Sequence, residues 1–317
     1  MISDAVLVVD KPSGPTSFDV VRKIRRAAGT RRVGHGGTLD PLASGVLPIC
    51  LGEATKLAPF LLGADKEYEV AICFGVETDT DDADGAVTSH GEATSLTAPA
   101  VEAKLALFRG VIQQVPPAYA AIKRDGRPLY DYARAGTPID VAPREVTIHA
   151  LELTAFDRPT QVRLSVRCSK GTYVRALARD LGRALGVGGH VTALRRTRSG
   201  PFSLAEARPL DDVLSALAAG DVQSLPMVSL AAALGHYPQR AVDDALARDL
   251  RTGRKVPWAA ATGSSTEPRV CLLDREGELI TVAEPRPDGL VRTLRVFAVA
   301  NGGKSSVKKP SQAANLR

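Results

Sequence analysis

No C-x-x-C pair and no clustered histidines occur in this 317-residue chain. The four cysteines, Cys50, Cys73, Cys168 and Cys271, are widely spaced, and three sit in apolar, strand-like runs. That pattern reads as buried thiols in a reducing compartment rather than a disulfide framework. His35, His90, His149, His190 and His236 are scattered singly, so no metal constellation is expected. Neither a Walker A nor a Rossmann glycine pattern is present, and the glycines near His35 lack the required spacing, so no nucleotide cofactor is expected. No apolar run approaches membrane-spanning length. The first ten residues carry acidic rather than basic side chains and run directly into a strand, unlike a secretory signal, so a cytoplasmic protein is expected. There are no internal repeats. Between Glu77 and Glu102 there is no Lys or Arg at all. Within that stretch Asp82, Asp84 and Gly85 resemble part of a calcium loop, but Thr80 and Gly91 stand where its first and last acidic ligands belong. The calcium reading fails.

What is present is an ordinary globular composition, 44% hydrophobic and 24% charged, long enough for more than one domain. The formal charge of +6 favours a polyanionic partner. Its distribution says more than its total. Arg22, Lys23, Arg25, Arg26, Arg31 and Arg32 crowd one short segment. Arg163, Arg167, Lys170, Arg175, Arg179, Arg183, Arg195, Arg196 and Arg198 form a second, opposed within it only by Asp180. Such segregation suggests one face made for phosphates and another kept away from them.

Ala5 to Val9 reads as a strand, and Thr16 or Ser17 caps a helix with Val20, Val21 and Ile24 on one face. Val46 to Leu51 reads as a buried strand, Glu53 to Leu62 as a helix and Tyr68 to Phe74 as an alternating strand. Pro99 to Phe108 reads as a helix. Glu145 to Phe156 and Gln161 to Ser169 alternate well enough to pair. Thr172 to Leu185 has Val174, Leu177, Ala178 and Leu181 on an apolar helical face. A strand from His190 to Arg198 and a helix from Pro209 to Ala218 follow. After a linker at Gly220 to Pro226 come a helix near Ala241 to Leu250 and strands near Arg269 to Leu273, Leu279 to Ala283 and Val291 to Val299. Residues 301–317 are polar, basic and aperiodic, and are expected to be disordered.

The stretch Gly34-His-Gly-Gly-Thr-Leu-Asp-Pro-Leu-Ala-Ser-Gly45 holds four glycines and a proline in twelve residues, too many for a stable helix or central strand. Pro41 holds the backbone of Asp40 extended while its carboxylate projects from a tight loop. Taken alone, this is a surface turn in which Asp40 bonds a nearby amide.

Several ordered segments change that reading. Leu7-Val-Val-Asp-Lys-Pro-Ser-Gly-Pro-Thr-Ser17 and the glycine stretch around Thr38 to Gly45 come first. Lys66-Glu-Tyr68, Gly75 to Gly85, and Pro116-Pro-Ala-Tyr119 with Lys123, Gly126, Tyr130 and Arg134 follow. Ser169-Lys-Gly-Thr-Tyr-Val-Arg175 and Leu194-Arg-Arg196 close the set. Across about two-thirds of the chain this resembles the TruB family of bacterial tRNA pseudouridine synthases. Gly36 and Ala120 depart from the family pattern, where Thr or Ala and Ser are common. The resemblance implies a mixed α/β (α+β) pseudouridine synthase fold, with a mostly antiparallel sheet, flanking helices and a central cleft. Residues 1–225 would be the catalytic domain, with a tRNA-gripping insertion at about 110–145, and 226–300 a small, mostly β, PUA-like domain.

The resemblance also implies the chemistry, which breaks a uridine's N-glycosidic bond and rejoins the uracil through carbon five at position 55 of the tRNA T-loop. No cofactor, metal, guide RNA or protein partner is needed, and the chain is expected to act as a monomer on the T-arm of tRNA. Asp40 is the candidate nucleophile or base, since a free aspartate, with a pKa of about 3.9, is ionised at neutral pH. Arg175 is placed against Asp40, and Tyr68 is placed to stack on the flipped base. His35 would fill the space left in the T-loop, and Tyr173 and Leu194 would line the pocket. Lys11, Arg195 and Arg196 would contact RNA, so alanine at either arginine should weaken binding and lessen its salt dependence. Read without the resemblance, Tyr68 and Leu194 are core residues, His35 a loop histidine and Arg175 a phosphate contact or surface charge on its helix. A tRNA-binding or tRNA-folding protein without catalysis fits the basic segments equally well, but gives Asp40, Tyr68 and Arg175 no reason to occur together. A guide-RNA-dependent relative fits less well, because the insertion argues for direct tRNA binding.

Overall fold

Alternating buried residues set the strands of this mixed α/β fold, which pair mostly antiparallel and carry helices beside them. The structure, a computed structural model, describes residues 4–137, 139–158, 160–263 and 267–298. The basic tail, 301–317, lies outside the described residues, as does the end of the strand expected to reach Val299. The chain divides into two compact units. One comprises Met1–Leu39, Val46–Gly63 and Ser199–Arg317, and the other Asp40–Gly45 and Ala64–Arg198.

In the first unit the strand Ala5–Lys11 is almost wholly buried. It pairs parallel with Arg208–Pro209 and antiparallel with Met227–Val228. Helix Ser17–Ala27 starts from a reciprocal cap. The Asp19 amide donates to Thr16 Oγ1 at 3.0 Å, and the Thr16 amide donates to the Asp19 carboxylate at 3.1 Å. Val20, Val21 and Ile24 are its buried face. Val33–His35, expected to be loop, is a short strand antiparallel to Ser44–Leu51, with His35 opposite Ile49. The helix expected at Glu53 to Leu62 is instead a 3-10 stretch, Gly52–Leu57, followed by one α-turn, Ala58–Leu61. Pro59 lacks the amide that a continuous helix would need there.

A second sheet in this unit runs Gln239–Ala241, Val270–Leu273, Leu279–Pro285, Val291–Val296. Cys271, Val282 and Phe297 share one core with Val6, Val8, Cys50 and Phe60, while Val270, Leu272 and Ile280 form another with Val242 and Leu250. Glu53 anchors this unit. Burial alone would raise its carboxyl, but Lys56, the Ala298 amide and Arg32 hold it down to about 2. The departure at Gly36 also has a local cause, since a Cβ there would lie 2.7 Å from Leu61 Cδ1. Leu61 occupies the space a side chain would take.

In the second unit the sheet order is Gly189–Ser199, Lys66–Phe74, Gln161–Cys168, Arg144–Arg158, Gly110–Gln114. The expected pairing of the 145–156 and 161–169 segments is present, antiparallel, with three register shifts along the longer strand. Helix Val174–Ala184 buries Val174, Leu177, Ala178 and Leu181, as its periodicity predicts. The acidic stretch begins with a hairpin, Val76–Thr78 with Val87–His90.

Cys50, Cys168 and Cys271 are free, buried thiols. Burial pushes Cys50 and Cys271 up to about 12, which keeps them protonated and unreactive.

Candidate active site

Asp40 opens the short Asp40–Gly45 piece of the second unit. Its carbonyl accepts the Ala43 amide at 3.1 Å, closing a tight turn around Pro41. Immediately before it, the Ser17 hydroxyl accepts the Leu39 amide at 2.8 Å and donates to the Leu39 carbonyl at 3.0 Å. Immediately after it, Ser44 and Gly45 pair parallel with Arg195 and Arg196. Gly45 has φ +103°, and a Cβ there would sit 2.2 Å from the Arg196 carbonyl oxygen. Glycine is required for so close an approach. The Asp40 side chain keeps 34% of its exposure, so the loop presents it rather than buries it.

Arg175, in the first turn of helix Val174–Ala184, meets that carboxylate. Its Nε donates to Asp40 Oδ2 at 2.8 Å, Nη1 to the Thr80 carbonyl at 2.7 Å and Nη2 to the Tyr119 carbonyl at 3.0 Å. Asp82 Oδ2 lies 3.5 Å from Nη1. All three nitrogens are engaged in a guanidinium side chain only 6% exposed, which fixes the ion pair geometrically as well as electrostatically. One helical turn further, Arg179 repeats the pattern. It bonds Asp81 Oδ2 at 3.0 Å, Asp180 Oδ1 at 2.9 Å and the Val115 carbonyl at 2.9 Å.

Two arginines at i and i+4 therefore anchor both the 80–82 turn and the two ends of the 115–119 segment. Asp81 sits at φ +60°. Burial pushes its carboxyl up to about 6 despite Arg179 and Arg175 pulling the other way. Burial also raises Asp82, against the hydroxyl of Thr80 and the charge of Arg175. Asp81 and Asp82, within the acidic run, thus bracket two arginines.

Tyr68, Tyr173, Leu194, Arg195 and Arg196 belong to the same unit as Asp40 and Arg175. Tyr173 caps helix Val174–Ala184, and Gln114 clamps its backbone at both ends. The Tyr173 amide donates to Gln114 Oε1 at 2.8 Å, and Gln114 Nε2 donates to the Tyr173 carbonyl at 3.1 Å. Burial raises the Tyr173 phenol, and the Asp40 charge adds to the rise. Burial likewise raises Tyr68, opposed by the charge and hydrogen bond of Arg196 and reinforced by Asp40. The structure therefore brings Asp40 within electrostatic reach of both phenols. Leu194 is buried. Arg195 is half-buried and donates to Ser44 Oγ at 3.3 Å.

Two expectations are corrected. Arg196 is 1% exposed, the largest fully buried side chain among the described residues, and its guanidinium bonds the Tyr68 phenol. A group so enclosed positions Tyr68 and is not a contact for RNA phosphates. Arg196→Ala is therefore expected to lower stability by about 3 kcal/mol, the cost of a large cavity and an unpaired Tyr68 phenol, in a urea titration. The salt dependence of RNA binding by Arg196→Lys should stay that of the unaltered protein; a shallower slope at normal stability would restore the phosphate reading. Lys11, the second correction, is 0% exposed. Its ammonium donates to the carbonyls of Pro12 at 2.9 Å and Pro15 at 2.8 Å, tying its own turn. His35 lies half-buried in the first unit, on its short strand.

Lys66 is buried opposite Cys168 in the strand pairing, bonded to the Ala64 carbonyl at 2.5 Å. Burial, helped by Arg196, pushes its ammonium down to about 8. A lysine so lowered opposes folding while charged, fully below pH 8 and progressively less up to its unfolded value near 10.5. Lys66→Met should thus stabilise the protein at pH 7 by about 2 kcal/mol, after loss of the Ala64 bond. The gain should shrink as pH rises from 8 to 10.5. Equal denaturation midpoints for the two proteins at pH 7 would contradict this.

The comparisons with known proteins agree with this geometry. A model described as TruB family pseudouridylate synthase (N terminal domain) matches residues 25–174, and one for the tRNA pseudouridylate synthase B C-terminal domain matches 175–234. A tRNA pseudouridine synthase B from Aromatoleum aromaticum is 44% identical over 305 residues, 96% of each chain. One from Thermobifida fusca is 42% identical, over 94% of this chain and 99% of that protein. A crystal structure of a Cbf5-Nop10-Gar1 complex contains a chain with a TM-score of 0.72 at 26% identity, covering 93% of this chain and 85% of that one. Fold and likeness define the class, an isomerase that makes pseudouridine in RNA. The chain belongs to the TruB family of pseudouridylate synthases.

Proposed function

We propose that this chain converts uridine 55 in the T-loop of tRNA to pseudouridine, with Asp40 as the group that attacks or deprotonates the flipped nucleoside. The observation that carries the reading is the 2.8 Å bond between Asp40 and a buried Arg175 that makes two further backbone bonds. An acid held this way is aimed before substrate arrives, so little reorganisation is left for the reaction. The N1–C1′ bond breaks and N1 takes up a proton, the uracil turns, C5–C1′ forms and C5 gives up its proton, so one proton is gained and one lost. Atoms balance without a donor or oxidant, so no cofactor is invoked.

Extruding the base from the T-loop costs a few kcal/mol. Stacking on Tyr68 returns about 1–3 kcal/mol, and its phenol, kept protonated by burial, assists transfer of the C5 proton. Tyr173 and Leu194 line the uracil pocket, and His35 fills the space the base leaves. Arg195 and the exposed Arg22, Lys23 and Arg26 contact phosphates. Residues 1–225 carry the reaction, the insertion at about 110–145 grips the T-arm and 226–300 serve as an accessory domain. The chain acts as a monomer, without guide RNA or protein partner, in the cytoplasm. No helix among the described residues is long and apolar enough to cross a membrane. Incubating the protein with unmodified tRNA transcript in plain buffer and mapping pseudouridine by position tests the reading. Product at position 55 alone is expected; no product, or product spread over other uridines, contradicts it.

A further inference from the structure

Gln114 ends strand Gly110–Gln114, the last strand in the order of the second unit's sheet, and is 2% exposed. Its backbone is held opposite Arg144 by the strand pairing. Among the described residues its side-chain amide bonds one partner only, Tyr173, 59 residues further on. Oε1 accepts the Tyr173 amide at 2.8 Å, and Nε2 donates to the Tyr173 carbonyl at 3.1 Å. A side-chain amide carries an acceptor and a donor on one plane, which is what this pair of bonds demands. An ionised glutamate could not donate, and an apolar residue could do neither.

Tyr173 is a residue that needs such a clamp. It lies between a glycine turn, with Gly171 at φ +82°, and helix Val174–Ala184, and has no regular structure of its own. Helix N-caps commonly fix the entry of the chain with a short side-chain oxygen. Tyr173 is the N-cap here and makes no such bond, so the restraint comes from another strand. Gln114 ties the amide on one side of the Tyr173 Cα and the carbonyl on the other. Both backbone dihedrals are fixed, and with them the direction in which the ring leaves the chain. The Tyr173 carbonyl also accepts the Leu177 amide at 3.1 Å, so the first helical turn starts from the clamped residue. Arg175, which holds Asp40, lies in that turn. Arg179 and Arg175 reach out from the helix to the Val115 and Tyr119 carbonyls, whereas Gln114 reaches from the sheet to the helix.

We infer that Gln114 is a positioning residue for the isomerisation, setting the Tyr173 ring and the Arg175 guanidinium at the angle the Asp40 carboxylate requires. The inference rests on the isomerase reading above for the reaction that is served. All four residues belong to the second unit. A side chain as enclosed as that of Gln114 presents nothing to RNA, so its loss acts on the chemical step and not on binding. Preorganised groups lose rate steeply when displaced, because the reacting atoms must then find their geometry anew in each turnover.

The test compares the unaltered full chain with Gln114→Met, which keeps the length of the side chain while removing both bonds. Val146→Ala, a small cavity in the adjoining strand opposite Ile112, controls for simple loss of stability. Single-turnover formation of pseudouridine in tRNA at saturating protein should fall about 10–100-fold in Gln114→Met, with the Kd for tRNA within about threefold. Val146→Ala should keep the unaltered rate even though its denaturation midpoint falls. A second readout needs no RNA. In protein labelled with fluorotyrosine, the Tyr173 fluorine line is assigned by its absence from Tyr173→Phe. It should shift and broaden in Gln114→Met and stay in place in Val146→Ala. A Gln114→Met rate within about twofold of the unaltered one would overturn the inference. So would a loss confined to Kd, an equal loss of rate in Val146→Ala, or an unmoved Tyr173 line. An unaltered protein that bound tRNA but made no pseudouridine would instead sink the isomerase reading, and the Tyr173 line would still judge the clamp.

Discussion

Asp40→Asn is expected to bind tRNA within about threefold of the unaltered protein, yet form pseudouridine at least about 10³-fold more slowly in a single-turnover assay. The asparagine amide has nearly the shape of the carboxylate, so the loop from Leu39 to Gly45 has no reason to move. Its carbonyl oxygen still accepts one bond from Arg175, though a neutral acceptor makes the weaker one. What disappears is the negative charge that attacks the nucleoside or takes its proton. Losses of 10³-fold and more follow when such a group is removed from an otherwise intact site. A variant slower by less than tenfold would take Asp40 out of the chemistry, and one that failed to bind tRNA would make its role structural.

Arg175→Lys separates charge from geometry. The guanidinium reaches Asp40, the Thr80 carbonyl and the Tyr119 carbonyl from three different nitrogens. A single ammonium has neither the reach nor the planar fork to hold all three. Positive charge beside Asp40 is kept, but the carboxylate is no longer aimed, and the 80–82 and 115–119 segments lose one of their two shared anchors, Arg179 remaining. Misplacing a preorganised group costs on the order of 10²–10³ in rate. That fall in kcat is expected with tRNA affinity retained, because a side chain this enclosed does not itself present a surface to RNA. Wild-type kcat in Arg175→Lys would show that charge alone suffices.

The helix carrying Arg175 was legible in the sequence because Val174, Leu177, Ala178 and Leu181 repeat at helical spacing. The Asp40 loop was legible as a turn because glycine and proline permit little else. Its pairing with Arg175 was not, because the two lie 135 residues apart and no local pattern links them. That pairing came only from resemblance to a family. The roles of Asp81 and Asp82 were misjudged for a related reason. An acidic run without lysine or arginine looks like a solvated loop until Arg175 and Arg179 are folded against it. Arg196 and Lys11 erred in the opposite direction. A basic residue in a strand or turn suggests a phosphate contact, whereas these two are buried on partners that composition cannot reveal. Tyr68 alternates like a core residue, and no local pattern ties it or Tyr173 to Asp40; that grouping came from the resemblance, and the Asp40 charge acts on both phenols in the structure.

The central claim is that the acid fixed by Arg175 exchanges the N-glycosidic bond of one particular uridine for a carbon–carbon bond. Tritium placed at uracil C5 of position 55 alone, in an otherwise unlabelled tRNA, reports that exchange directly, because C5 must lose its hydrogen as the new bond forms. The account predicts release of about one tritium per tRNA by the unaltered protein in the absence of any cofactor, and none by Asp40→Asn bound to the same RNA. Retention of the label by the unaltered protein, or its release by Asp40→Asn at a similar rate, would contradict it.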